Sequence, residues 1–163
     1  MSNDAVPMKV TRQHRTTTPV HELTHFQTPA DQLFVVYHMG VPAIDTRSWR
    51  LAVGGLVEQP LELTFANLDA MPKVEVRTFH ECAGSPLHPT VAVRRVGNVV
   101  WRGVQLKRVL EQARIRPAGR FLWSRGADYG IYPPTNTYND CYLKDLPLAK
   151  ALGDEVLLAT ELN

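Results

Sequence analysis

The stretch "RTFHECAGSP" (77–86) sets a cysteine, Cys82, two residues after His80 and just ahead of an Ala-Gly step. A thiolate displayed on a loop can act as a nucleophile or as a soft ligand to a metal. The nucleophile needs a base and an oxyanion hole, and His80 shares a face with Cys82 on an extended chain. A cysteine that merely packs as a small hydrophobe is the plain alternative. A second constellation, "HELTH" (21–25), fits H-E-x-x-H, in which His21 and His25 sit one helical turn apart to bind zinc and Glu22 serves as base. A zinc hydrolase of that kind needs a helix, yet Pro19 and Pro29 leave room for about ten residues between them. Threonines flank the motif and no third ligand follows at a known spacing, so histidines on a solvated arm are the competing reading.

The elements that must position these groups can be read from the apolar pattern. Residues 1–30 are polar and Thr-rich, with prolines at 7, 19 and 29, and read as an extended arm; 31–163 read as one domain. "LFVVYHMGVP" (33–42) is an apolar run broken by Gly40 and Pro42, which suits a short buried strand. "WRLAVGGLV" (49–57) alternates and then meets a glycine pair, a bulge or bend. A short helix within 61–71 has Thr64 as its cap. "KVEVRTF" (73–79) alternates again and delivers the chain to Cys82.

The spacing of Leu106, Val109, Leu110 and Ala113 predicts the longest helix over 103–115. "RFLWS" (120–124) is a strand before a Gly-containing loop, "RGADYG". A further helix is expected over 143–152, capped by Asp145 with Pro147 in its first turn, and 155–163 close as a strand. Short strands with a few segregated helices predict a mixed α+β domain, mainly β, and exclude a doubly wound sheet. An apolar strand at the very end demands a covering neighbour, from an earlier strand, from another chain, or from a longer protein of which this is the front part.

Composition narrows the function classes. The chain has 163 residues, a net charge of +2 and 44% hydrophobic content, ordinary for a globular domain. Two cysteines 59 positions apart make no disulfide framework. No run approaches about 18 apolar residues, so no membrane span is expected, and no nucleic-acid partner is expected either. With neither an apolar leader nor twin arginines, the sequence as it stands reads as cytoplasmic, or periplasmic if a leader has been removed. Nine of the 18 basic residues lie between Arg94 and Arg125 against a single acid, Glu111. That is either a solvated helix face or a field for an anion, a phosphorylated cofactor or small oxyanion.

The blocks "LFVVYHMGVP", "WRLAVGGLVEQPLELTFANLDAMP", "ECAGSP", "WRGVQLKRVLEQA" and "YLKDLPLAKAL", with the closing "DEVLLATELN", taken in this order from about residue 28 to the end, resemble the molybdopterin-binding domain of the sulfite oxidase family. The resemblance implies a molybdenum-molybdopterin cofactor with Cys82, of the "CAG" step, as the protein ligand to the metal. It implies oxygen-atom transfer on a small substrate, sulfur-containing in the family's type case, as the metal passes between Mo(VI) and Mo(IV). Electrons then go to a separate acceptor such as a cytochrome.

The same resemblance puts Tyr37 and His38 in the segment lining the pterin, and matches His38 to a cofactor-contacting histidine. Asp128 matches an aspartate that bonds the pterin, and Arg125 is a candidate for the cofactor phosphate. Val36 stands where sulfite oxidases carry an arginine for the anionic substrate, and Ser85-Pro86 replace an Asn-Arg pair. Those departures put sulfite itself in doubt. Trp101 and Tyr142 match family residues read as packing. The family's catalytic tyrosine, phosphate-gripping segment and dimerisation domain correspond to nothing in the 163 residues. The resemblance therefore allows a homodimeric enzyme or, as the alternative, a non-catalytic product of the same fold with an incomplete cofactor site.

Overall fold

In the computed structural model the described residues are 18–37, 39–85, 90, 94–132 and 137–163. The alternation at 73–79 becomes β3 (Lys73–Glu81), nine residues long, with Val74, Val76 and His80 turned inward. It pairs antiparallel, without a slip, with β4 (Val96–Gln105). β4 is the centre of a three-stranded sheet of order β3-β4-β9, where β9 is Leu157–Leu162. The closing strand pairs along one edge with β4 and forms the outer strand of the sheet.

The sequence pattern did not announce β4. Its buried residues are Gly97, Val99 and Gly103 at odd positions and Val104 beside them, and the β4–β9 register shifts between Arg102 and Gly103, leaving Thr160 of β9 as the extra residue. Glycines at two inward positions and buried neighbours at 103 and 104 hide the alternation, and the residues from Gly103 on read as the start of a helix. Gly103 is required there: a Cβ would run into the backbone of Leu158 and Ala159. The helix, α2 (Leu106–Ala113), begins three residues later than expected, with the apolar stripe as read: Leu106, Val109, Leu110 and Ala113 are all buried.

Two antiparallel ribbons flank α2. β1 (Arg50–Val53) pairs with β2 (Leu61–Thr64), and β5 (Phe121–Arg125) pairs with β8 (Leu143–Pro147). Val109 packs with Leu63, Leu68 and Val104 under the first ribbon; Leu106 and Leu110 pack with Ala151 under the second, and Leu158 touches both clusters. α1 (Phe65–Ala70) is capped by Thr64, whose Oγ1 accepts from the Asn67 N–H at 3.0 Å while Asn67 Oδ1 accepts from the Thr64 N–H at 2.8 Å. A small hairpin, β6 (Gly130–Tyr132) with β7 (Thr137–Asn139), follows the Gly-containing loop.

The helix expected over 143–152 is corrected. Leu143–Pro147 is strand β8, and only Leu148–Ala151, α3, is helical with Pro147 as its N-cap. Asp145 caps nothing; it lies opposite Trp123 and accepts from Lys144 at 2.7 Å. The strand expected at 33–42 is also absent among the described residues. Its apolar side chains are used in packing instead of a ladder: Leu33 is buried and Phe34 stacks on His80 at 5.2 Å. The chain ahead of it is held closely. Thr28 is buried, its N–H donates to Asn98 O at 2.8 Å, and its carbonyl accepts from Asn163 Nδ2 at 2.7 Å. All strand pairings among the described residues are antiparallel, and the mainly β, α+β expectation holds.

Candidate functional site

Cys82 stands one residue beyond the end of β3. Its N–H donates to Arg95 O at 3.0 Å, adding one more rung to the β3–β4 ladder after the Glu81–Val96 pair. Its carbonyl accepts from the Ser85 N–H at 2.9 Å, which folds 82–85 into a turn. The sulfur is therefore presented from a tight turn on the end of a long, paired strand. It is partly buried, not sealed in hydrocarbon. A rigid scaffold ending in a short loop is the arrangement that displays reactive groups.

The side chain set against it is one that sequence reading missed. Arg95 Nη1 lies 4.0 Å from Cys82 Sγ, and the Arg95 N–H donates to Ser85 Oγ at 2.8 Å. Thirteen residues separate Arg95 from Cys82. Only the β3–β4 register joins them, so the available signal was the position of Arg95 in the basic segment. His80, weighed as a base, is packed between Phe34 and Trp101, stacked on the first and edge-on to the second at 5.7 Å. Trp101 thus packs, as expected, although on β4 and not at the head of a helix.

A second part of the site lies around Asp128. A cleft of about 400 Å³ is lined by Met39, Gly40, Val41, Pro42 and Ala43 on one side and Ala127, Asp128 and Tyr129 on the other. The segment and the loop that the resemblance assigned to the pterin are thus neighbours in space. Gly40 has φ +92, which favours glycine, and a Cβ there would meet nothing within 4 Å. Its bare backbone forms a wall of the cleft. On the other side, a side chain on Gly126 would collide with Asp128 Oδ1, while the Gly126 N–H donates to Tyr142 O at 2.7 Å. The carboxylate is seated over that glycine, and the main chain of Tyr142 anchors the loop.

Cys82 is not among the residues lining this cleft. The two parts are joined by residues 34–43, which begin with Phe34 on His80 and end as the cleft wall. Tyr37, partly buried, lies midway along that stretch; His38 lies outside the described residues. Arg125, exposed, ends β5 and leads directly into the Asp128 loop.

A wider depression of about 680 Å³ lies elsewhere, lined by Met71, Arg108, Glu111 and Arg114 among others. It adjoins α2, and the ten residues of β4 put roughly 30 Å between that end of the strand and Cys82. Several basic residues of the 94–125 segment hold local partners. Arg102 pairs with Glu161 at 3.0 Å, Lys107 pairs with Asp154, Arg116 donates to Val57 O and Arg120 to Pro117 O. Arg95, from the same segment, lies against Cys82 Sγ, and Arg125 ends β5 ahead of the Asp128 loop.

The zinc pattern is corrected as well. Only Val20–Glu22 form a single 3-10 turn, so His21 and His25 do not stack on one helical face, and both are exposed. Among the described residues no three of His, Cys, Asp and Glu come together as a metal site. Nor is any helix among them long and apolar enough to cross a membrane.

Comparison with known proteins agrees with this geometry. The family model described as oxidoreductase molybdopterin binding domain matches residues 38–163. Rat mitochondrial sulfite oxidase is 32% identical over the whole of this chain and 32% of its own length. Rice nitrate reductase [NADH] 1 is 34% identical over 61% of this chain and 12% of its own. The solved structure of the sulfane dehydrogenase SoxCD from Paracoccus pantotrophus superposes with a TM-score of 0.75 at 27% identity, covering 96% of this chain and 40% of that one. The chain spans about a third of the length of the sulfite oxidases it matches. With one model matched across all but the first 37 residues, the chain belongs to the oxidoreductase molybdopterin binding domain family, of the sulfite oxidase type.

Proposed function

We propose that this domain works in a molybdenum-cofactor oxidoreductase that transfers an oxygen atom to or from a small substrate, with Cys82 as the protein ligand to the metal. The observation that carries the reading is the placement of Cys82: a partly buried sulfur on a hydrogen-bonded turn at the end of the β3–β4 ladder. A thiolate is a soft donor suited to a high-valent, sulfur-bound metal, and a second cysteine is not needed when the pterin supplies the other sulfurs. The cleft supports the organic part. Its wall at Gly40 leaves room that any side chain would fill, and Asp128 gives it a hydrogen-bonding carboxylate. The residues present fit such a group.

When bound, the cofactor supplies two-electron redox chemistry coupled to oxygen transfer. The chain's own residues do the holding. Tyr37 and His38, with the rest of the 36–42 segment, would line the pterin; Asp128 would accept from its N–H groups; Arg125, three residues before Asp128, would pair with its phosphate. Cys82 fixes the metal end through the main-chain bonds of its turn. The aromatic packing of Phe34 and Trp101 on His80 stiffens the strand that carries it. The resemblance supports a separate electron acceptor of the cytochrome kind.

The substrate is read as a small sulfur-bearing molecule, in keeping with the names of the sulfite oxidase and sulfane dehydrogenase relatives. Val36 supplies no charge for an anion, so sulfite is not the default choice.

The test uses the full-length purified protein. Elemental analysis should find molybdenum, together with a thiolate-to-metal absorption band, and Cys82→Ser should remove the band and turnover while far-UV circular dichroism stays unchanged. A protein free of molybdenum after expression with ample molybdate, or a Cys82→Ser variant with full turnover, would end this reading.

A further inference from the structure

Arg95 makes three contacts to the cysteine turn, and they come from different parts of the residue. Its carbonyl accepts from the Cys82 N–H at 3.0 Å. Its own N–H donates to Ser85 Oγ at 2.8 Å. Its guanidinium reaches Cys82 Sγ at 4.0 Å. The two main-chain contacts bracket the turn at both ends, and the side chain closes over the atom between them. The guanidinium is planar and keeps its charge at every working pH.

We propose that Arg95 is the positioning residue of the metal ligand, holding the turn so that the sulfur points one way and placing a permanent positive charge against it. The idea rests on Cys82 being the ligand, as proposed above. Two consequences follow from charge and geometry. A group that orients a ligand from behind typically changes metal affinity or activity by about 10–100-fold when removed. A cation and an N–H donor at a sulfur ligand also favour the more electron-rich state of the metal, so Arg95 raises the reduction potential.

The experiment is a redox titration of the molybdenum centre in the full-length holoenzyme, alongside its sulfur-to-metal absorption band. Arg95→Met should lower the potential, move the band and reduce turnover by about 10–100-fold. Arg95→Lys, which keeps the charge and loses the planar fork, should recover most of the potential. Ser85→Ala removes one bracket and leaves the charge, so it should lower molybdenum content without moving the potential.

An Arg95→Met holoenzyme with wild-type potential and band would overturn the proposal, whatever its activity, as would a Lys variant indistinguishable from Met. If Arg95→Met retains no molybdenum, Lys and Gln at this position decide: loading of the Lys protein alone supports the charge role, and equal loading overturns it. A wild-type protein without molybdenum would instead sink the underlying assignment of Cys82, a result these variants cannot mimic.

Discussion

At the scale of single residues, Cys82 could be found from sequence because it ends a clean alternation and opens an Ala-Gly turn, a local pattern. Its neighbours could not. Arg95 and Ser85 meet it through the β3–β4 register and the turn, and nothing in their spacing announces either contact. Asp128 was reached by resemblance, and the structure adds why its loop needs Gly126, whose missing side chain leaves space for the carboxylate. Gly126→Ala should therefore displace Asp128 and cut the molybdenum retained on purification, while the thermal midpoint stays close to that of the wild type. Wild-type molybdenum content in that variant would count against Asp128 as a cofactor contact.

At the scale of elements, stripes were legible and strands with irregularities were not. α2 shows its four buried positions at helical spacing, and Thr64 was visible as a cap because its side chain is the type that accepts from the first turn. β4 hid behind the glycines at its inward positions 97 and 103. β8 hid behind Leu143 and Leu146, which are three apart and mimic a helical face although the strand pairs with β5. Two stability measurements check these elements. Leu110→Ala should cost about 2–5 kcal/mol in denaturant unfolding, since Leu110 is 3% exposed beneath the second ribbon. Thr64→Ala should cost about 1 kcal/mol, because the Asn67 N–H loses the hydroxyl that accepts from it. A loss at Thr64 as large as that at Leu110 would contradict the division between cap and core.

At the scale of the whole molecule, the edges are fastened by ion pairs. Lys73 binds both Asp69 and Glu161, and Glu161 also binds Arg102, tying β9 across β4 to the end of α1. Hydrogen bonds from Lys73 and Arg102 hold the Glu161 carboxyl below its ordinary range, and Lys107 does the same for Asp154. A depressed carboxylate contributes stability that is complete above its unfolded value, about 4.3 for Glu, and is lost as pH falls through the lower folded value. The Lys73 ammonium, raised by Asp69 and Glu161, behaves oppositely and loses its contribution as the solution becomes strongly alkaline. The thermal midpoint should thus drop on acidification below about pH 4, and Glu161→Gln should flatten that drop. An unchanged acid limb in the variant would remove this pair network from the account.

The central claim is that the sulfur of Cys82 binds molybdenum. X-ray absorption at the molybdenum edge of the full-length protein measures it directly. The wild-type metal should have one more sulfur neighbour than the metal in Cys82→Ser, with the pterin sulfurs retained in both. Identical sulfur coordination in the two proteins would contradict it.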